Sequence, residues 1–326
     1  MKKVFLIVAT VTLALAMLSV PAMAQLNGTV IEKELSQSEA SLGDHITVTL
    51  HVTDGVVGQT VVDALPDPLK YIGGTLNVTG GNATCKTSQG EIVCTLAENA
   101  TYTITFDVQV VEVQAEAVNA TNWAYVYNGT TELGSHSANI TLHPYEGFEK
   151  VAAIVYEDNP NGEIEVGELV TWNMTITVPN NFAWNITDAV LKDNLGGELG
   201  MAGDKVDNDR DKPKEVDEGD WGDLAPEYNT IPDGDLTVKT PGKSNKVHFW
   251  IEEVDIATGG SLDFVLGVFT DRNPSRWGHQ CYTSTYEDHP LNSGATLKFT
   301  DPETGFQLSA HTCPILIDVV SPISAP

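Results

Sequence analysis

Alternation of apolar and polar residues runs through this chain, and it limits the fold more than any other feature. Ile46, Val48, Leu50 and Val52 alternate with Thr47, Thr49, His51 and Thr53. Tyr102, Ile104, Phe106, Val108 and Val110 do the same, with Thr103, Thr105 and Gln109 between them. Val170, Trp172, Met174 and Ile176 repeat the pattern against Thr171, Asn173, Thr175 and Thr177. Phe249 and Ile251, then Leu262, Phe264, Leu266 and Val268, supply two further runs. Side chains along a strand point alternately to opposite faces, so each run presents one apolar face that must be covered. No long stretch carries the 3.6-residue period of an amphipathic helix. Short strands separated by Gly, Pro, Asn and Asp turns predict packed antiparallel sheets, and the expected class is all-β.

The chain has 326 residues. Lys2 and Lys3, the apolar run Val4 to Val20 and Ala22-Met23-Ala24 read as a signal peptide over 1–24, which would leave Gln25 as the new terminus. The remainder is long enough for two β-sandwich domains with separate cores. The predicted boundary is His143-Pro144-Tyr145-Glu146-Gly147, where a strand runs into Pro and Gly. The expected domains are 25–143 and 144–320, with 321–326 as a tail. No hydrophobic anchor is seen at the C-terminal end, so no transmembrane anchor is expected. Asn128-Gly129, between Tyr125-Val126-Tyr127 and Thr130-Thr131-Glu132-Leu133, predicts a two-residue hairpin turn.

The formal charge is −28. Only Arg210, Arg272 and Arg276 carry guanidinium groups. Nucleic acid and anionic lipid both require clustered Lys and Arg, so neither is an expected partner. Copies of such an acidic surface repel one another unless cations screen or bridge them.

Nine Asn-x-Thr triplets begin at Asn27, Asn77, Asn82, Asn99, Asn119, Asn128, Asn139, Asn173 and Asn185, and none follows. Each is an acceptor for N-linked glycan in an exported chain if its loop or strand face is exposed. Asn173 alternates with Val170, Trp172 and Met174 and is expected to point outward. The alternative is that Asn and Thr are simply common in turns and strands; for Asn128 turn chemistry explains the residue equally well.

Four cysteines in an exported chain suggest two disulfides. Cys85 and Cys94 flank a short span with a Ser-Gln-Gly turn, so one hairpin can join them. Cys281 and Cys313 then form the second pair. Of three possible pairings this one keeps each bridge within a domain; the rival is metal binding by Cys281 with His279, His289 or His311.

Residues 203–235 hold twelve carboxylates against four basic residues. Asp207, Asp209, Asp211 and Glu218 occupy the first, third, fifth and twelfth places of a calcium loop. Lys212 stands where the sharp turn needs glycine, and no flanking helix is evident, so an EF-hand proper is not expected. A calcium-binding acidic loop of another architecture remains one reading; a solvated charged loop is the other.

Ser41-Leu42-Gly43-Asp44-His45-Ile46-Thr47-Val48-Thr49-Leu50 resembles the opening of the immunoglobulin-like conserved-repeat domain of prokaryotic surface proteins. Asp63-Ala64-Leu65-Pro66-Asp67-Pro68-Leu69-Lys70-Tyr71 is similar to that family's D-x-L-P turn and following strand. Cys85 to Cys94 and Ala117-Val118-Asn119-Ala120-Thr121 resemble its later strands. Glu165 to Trp172 and Ile186 to Asp193 resemble a second copy, which departs from the pattern by the acidic insertion 203–235. Leu291 to Phe299 and Gln307 to Thr312 are similar to the ends of sheath, surface-layer or filament proteins of methanogenic archaea. The resemblance implies two tandem immunoglobulin-like β-sandwiches on an envelope protein.

No Gly-x-Ser-x-Gly elbow, His-Glu-x-x-His helix or phosphate-cradling loop is present, and no enzyme is expected. Trp172 and Trp250 lie in alternating strands and are expected in the core. The expected function is that of a secreted, glycosylated structural protein at the cell surface. It would self-assemble into a homo-oligomer or polymer, with calcium, N-linked glycans and other envelope proteins as candidate partners. One route is strand exchange by Gln25 to Leu35, a segment set apart by Ser36-Gln37-Ser38-Glu39. The alternative is an adhesion or carbohydrate-binding protein using exposed tryptophans or the acidic loop.

Overall fold

The computed structural model describes residues 28–88, 90–157, 164–165, 170–195, 199–201, 215–216, 236–239, 247–270, 288–292 and 294–320. The first half contains β1 (Val30–Leu35), β2 (Glu39–Ala40), β3 (His45–Gly55), β4 (Thr60–Ala64), β5 (Leu69–Tyr71) and β6 (Asn77–Thr79). It continues with β7 (Ala83–Ser88), β8 (Glu91–Leu96), β9 (Ala100–Val110), β10 (Glu112–Val113), β11 (Val118–Asn128) and β12 (Thr131–Leu142). The second half contains β13 (Glu149–Glu157), β14 (Ile164–Glu165), β15 (Val170–Pro179), β16 (Ile186–Leu195), β17 (Leu199–Met201) and β18 (Glu215–Val216). Then follow β19 (Leu236–Lys239), β20 (Val247–Ile256), β21 (Ser261–Thr270), β22 (Asp288–Asn292), β23 (Thr296–Thr300), β24 (Gln307–His311) and β25 (Ile315–Val320).

Each half folds as a sandwich. In the first, the sheet β1-β3-β9-β5, with β6 also on β9, faces the sheet β2-β12-β11-β4-β8-β7. In the second, the sheet β13-β15-β21-β17 faces a larger one built on β24-β23-β16-β20-β19-β18. The all-β class and the tandem sandwiches are thus as the alternation predicts. Ile46, Val48, Leu50 and Val52 on β3 and Tyr102, Ile104, Phe106 and Val108 on β9 are all buried, as are Met174 and Ile176 on β15. Removing each such side chain from water contributes roughly 1.5–3 kcal/mol, which sets the inward face of every strand.

The two halves also share structure. β10 pairs in parallel with β24, Glu112 opposite Ser309 and Val113 opposite Ala310. Ser309 N–H donates to the Val111 carbonyl at 2.8 Å. Phe182 and Trp184 stack at 4.7 Å, and Phe299 meets Phe182 edge-on at 5.4 Å. The Gly43 turn of the first sandwich lies against this cluster.

Three local expectations are corrected. β1 is not set apart: it pairs antiparallel with β3 from Val30–Thr53 to Leu35–Val48. The segment carries apolar residues at alternate positions, and the sheet edge beside β3 buries Ile31. The hairpin turn is shifted by one residue, because Asn128 pairs with Thr131 as the last rung and Gly129-Thr130 form the bend. Gly129 supplies the positive φ (61°) there. Trp250 is half-buried instead of core, with the Lys192 ammonium 5.7 Å from its ring centroid. Among the described residues the acidic insertion contributes β18, which pairs with β19 just beyond it, Glu215 opposite Lys239. The signal segment, Asn27, Trp221, Trp277 and the tail lie outside the described residues.

Candidate functional site

Outer faces of the first sandwich carry most of the sequons. Asn77 on β6, Asn82, Asn99, Asn119 on β11, Asn128 and Asn139 on β12 are exposed, and so is Asn185 in the second half. Thr141 Oγ1 donates to Asn119 Oδ1 at 3.0 Å, and Thr121 Oγ1 donates to Asn139 Oδ1 at 2.8 Å. The Val57 N–H donates to Asn99 Oδ1 at 2.8 Å. In these three the side-chain oxygen is engaged, which leaves the nitrogen that would carry a sugar. Asn82 differs: its Nδ2 donates to the Glu98 carboxylate at 3.1 Å. Asn173 lies on the face of β15 opposite the buried Met174, but it is half-buried there, with its Oδ1 shielded and without a hydrogen bond.

The same outer face of β11 carries an aromatic ladder. Trp123, Tyr125 and Tyr127 follow one another at alternate positions, with ring centroids 6.1 and 6.0 Å apart. Trp123 is 42% exposed. Ser137 and Ser135 stand opposite Trp123 and Tyr125 on β12, and Ala64 stands opposite Trp123 on β4. The small neighbours of Trp123 leave its ring exposed, while Tyr125, opposite Val62, and Tyr127, opposite Thr60, are half-buried beside it, and the row offers a surface suited to stacking on an apolar sugar face.

The interior holds a second constellation, of ionisable groups. Lys33 on β1 and Asp63 on β4 form a direct ion pair across the two sheets, with both side chains at 0% exposure. Asn122 on β11 is equally buried. Ala124 stands opposite Asp63, so Asn122 comes two residues farther along the same inward face. Asn122 favours the ionised form of Asp63, yet neither of its amide atoms makes a hydrogen bond of regular geometry, and Asp63 Oδ1 is also left without one. Burial pushes the Lys33 ammonium down to about 8, with the Asp63 charge opposing the shift. Burial raises the Asp63 carboxyl, with Lys33 and then Asn122 opposing.

The pair recurs in the second sandwich. Lys150 on β13 meets Asp193 on β16, again from facing sheets, with side chains at 0% and 2% exposure. Burial lowers the Lys150 pKa against the Asp193 charge. In the backbone ladder Asn292 pairs with Leu195, two residues beyond Asp193. Sequence reasoning missed all of these groups. The signal was present: Lys33 shares its face with Ile31 and Leu35, Asp63 with Val61, and Asn122 with Ala120 and Ala124. A polar side chain at an inward register position, three times over, marks something other than packing.

The Cys85–Cys94 disulfide is formed, joining opposed residues of β7 and β8. Cys313 is half-buried; its expected partner Cys281 lies outside the described residues. Asp207, Asp209, Asp211 and Glu218 also lie outside them. Among the described residues no group of His, Cys, Asp and Glu is arranged to hold a metal. Among them, too, no helix is long and apolar enough to cross a membrane.

No family model matches the chain, and no curated protein does. Among solved structures, it is similar to BcpA, the major pilin subunit of Bacillus cereus, at 11% identity over 90% of this chain and 69% of that one, with a TM-score of 0.33. The C-terminal domain of the Streptococcus agalactiae AgI/II polypeptide BspA matches at 10% identity over 89% of this chain and 100% of that one, TM-score 0.27. The Enterococcus faecalis MSCRAMM ACE matches at 11% identity over 90% and 96%, TM-score 0.27. Superposition at this level carries no conclusion about activity or partner.

Proposed function

We propose that the chain is a secreted, glycosylated structural protein of the cell envelope, self-assembling into a surface layer, sheath or filament. One observation carries the reading: exposed sequon asparagines on both outer faces of the first sandwich, several holding their oxygen in a hydrogen bond and their nitrogen free. Glycans at Asn77, Asn99, Asn119 and Asn139 would cover both sheets of that half. Contacts between copies then fall chiefly on the second sandwich, which carries a single exposed sequon among its described residues, Asn185. Its acidic insertion is the candidate bridge: Asp207, Asp209, Asp211 and Glu218 would take calcium, a hard cation suited to carboxylate oxygens. β1 pairs with β3 within the chain, so strand exchange by residues 25–35 would require that pairing to be given up. The sequence carries no catalytic motif, and the role proposed is non-enzymatic.

Electron microscopy of the native protein tests this. Ordered polymers that dissociate on chelation are expected; a monomer at millimolar calcium overturns the reading. The aromatic ladder favours a second one, an adhesive or carbohydrate-binding protein, for which the native protein would stay monomeric and bind a glycan array. Glycopeptide mapping bears on the coating itself. Occupancy should be higher at Asn99, Asn119 and Asn139 than at Asn82, whose nitrogen is held by Glu98.

A further inference from the structure

Asn122 is the least explained side chain in the first sandwich. An amide at 0% exposure, with neither its oxygen nor its nitrogen in a hydrogen bond of regular geometry, is costly in a protein interior. It lies beside a lysine and an aspartate that are also wholly buried, and one oxygen of that aspartate is orphaned as well. An ion pair in such a place is worth little unless every remaining donor and acceptor is satisfied. Here three atoms are left without a regular hydrogen bond, one on Asp63 and two on Asn122, while Asp63 is in contact with Lys33 and interacts with Asn122.

The residue types are those of an amide-forming reaction. A lysine held in an apolar interior is inclined to lose its proton and become a nucleophile. A carboxylate in direct contact can take that proton. A carboxamide is an acylating group with ammonia as its leaving group. Fixing the three in a dry core replaces an encounter in solution by a preset one, which is the condition under which an otherwise sluggish acyl transfer proceeds.

We propose that Lys33 and Asn122 become joined by an intramolecular amide bond, with Asp63 as the acid–base group. Asp63 takes a proton from the Lys33 ammonium, and the neutral Nζ attacks Cγ of Asn122. The Nζ–Cγ bond forms and the Cγ–Nδ2 bond breaks as a proton passes to Nδ2, which departs as ammonia. Of the five hydrogens on the two nitrogens, three leave with ammonia, one stays on the new amide and one remains on Asp63. Nothing is oxidised or reduced, and no cofactor is required. The product removes the buried charge pair: a neutral carboxyl faces a neutral amide, and the Asp63 hydroxyl can donate to the new carbonyl. The raised carboxyl pKa that burial gives Asp63 suits that final state.

The bond would tie the first strand of the sandwich to its penultimate one, across the two sheets. Tension entering at β1 and leaving through β12 would then bypass the chain between residues 33 and 122. The recurrence of a Lys–Asp pair between facing sheets at Lys150 and Asp193 shows that the first is not an isolated accident of packing.

The test is the mass of the full mature chain, produced without glycosylation, denatured and with cysteines alkylated, followed by tryptic mapping. The expected result is a mass lower by ammonia, with trypsin failing to cut after Lys33 and a branched peptide joining Lys33 to Asn122. Recovery of Lys33 and Asn122 in separate, unmodified peptides overturns the proposal. Loss of water with a Lys33–Asp63 branch overturns it, as does conversion of Asn122 to aspartate without linkage. The Asp63→Asn variant should retain its ammonia and leave Lys33 open to trypsin; linkage persisting in that variant overturns the role of Asp63. Should the variant fail to fold, the mass of the unaltered chain still decides.

Discussion

Gln109 of the first sandwich and Asp301 of the second are bonded side chain to side chain, Nε2 donating to the carboxylate, although 192 residues separate them. The other end of the same amide is held too, for Oε1 accepts from the Thr304 hydroxyl at 2.7 Å. Both Gln109 and Asp301 are buried, at 1% and 2% exposure. Burial alone would raise the Asp301 carboxyl, but the donors Gln109, Glu303 and Thr304 outweigh it and hold the pKa below its ordinary value. The joint between the sandwiches is therefore a fitted polar contact beside a strand pair, not a loose tether.

Replacing Gln109 by leucine should expose that dependence. The hydroxyl of Thr304 loses its acceptor and Asp301 loses a donor while remaining buried, at a cost of about 1–3 kcal/mol. Chemical denaturation should show the loss, and the single transition should separate into two as the halves uncouple. An unchanged midpoint would mean that the joint rests on β10 and β24 alone.

Gly43 supports the same joint by being small. Its φ of 86° is one that side chains rarely adopt. A Cβ there would lie 2.8 Å from the Phe182 ring. The ring cannot easily yield, because it is stacked on Trp184 and also on Tyr145, 5.6 Å away. Gly43→Ala should cost about 1–3 kcal/mol from backbone strain and overpacking together. Phe182→Leu in the same chain should recover the overpacking part and leave the strain.

Much of the fold could be read from the alternation, because burial of one strand face is a period-two property of the sequence. Ile46 to Val52 and Tyr102 to Val108 are legible for that reason. The turn lies one residue later than Asn-Gly predicts, since Asn-Gly satisfies the same turn chemistry in either register and only the pairing of Asn128 with Thr131 decides. The Gln109–Asp301 contact was not legible at all. Gln109 alternates with apolar residues in the manner of a solvent-facing position, and its burial arises from a neighbour far along the chain. Lys33, Asp63 and Asn122 lay in plain view at inward positions, but each alone reads as an ordinary interruption; only the strand register shows that they converge.

His311 gives the joint a pH dependence with a definite sign. Its Nε2 lies 3.6 Å from the Glu112 carboxylate, linking β24 to β10. Thr296, Ser309 and Lys298 surround the ring from β23 and β24. Burial lowers the imidazole pKa below 6.5, Glu112 opposes this, and Lys298 adds to it. The unfolded chain then binds the proton more readily than the folded one. The stability this group contributes is present above the unfolded pKa of about 6.5 and is lost as pH falls through the lower folded value. Denaturation midpoints should fall on acidification through that window, and His311→Gln should flatten the slope. A slope of the opposite sign would mean that the Glu112 attraction dominates.

Trp123, Tyr125 and Tyr127 allow the two functional readings to be separated without disturbing the fold. Trp123 is 42% exposed on an outer face, so Trp123→Ala should change stability by no more than about 1 kcal/mol. Its ring is nevertheless the outermost platform of the ladder, and its loss should weaken glycan binding by about tenfold or more, equivalent to roughly 1.4 kcal/mol. Polymer formation should be unaffected, because the proposed contacts lie on the second sandwich. Asn119 and Asn139 share the face with the ladder, so sugars attached there would crowd it. Unglycosylated protein should therefore retain more of an added glycan than the native form, measured on the same array. Equal retention by Trp123→Ala and the unaltered chain would remove the ladder as a binding surface and leave the structural role standing alone.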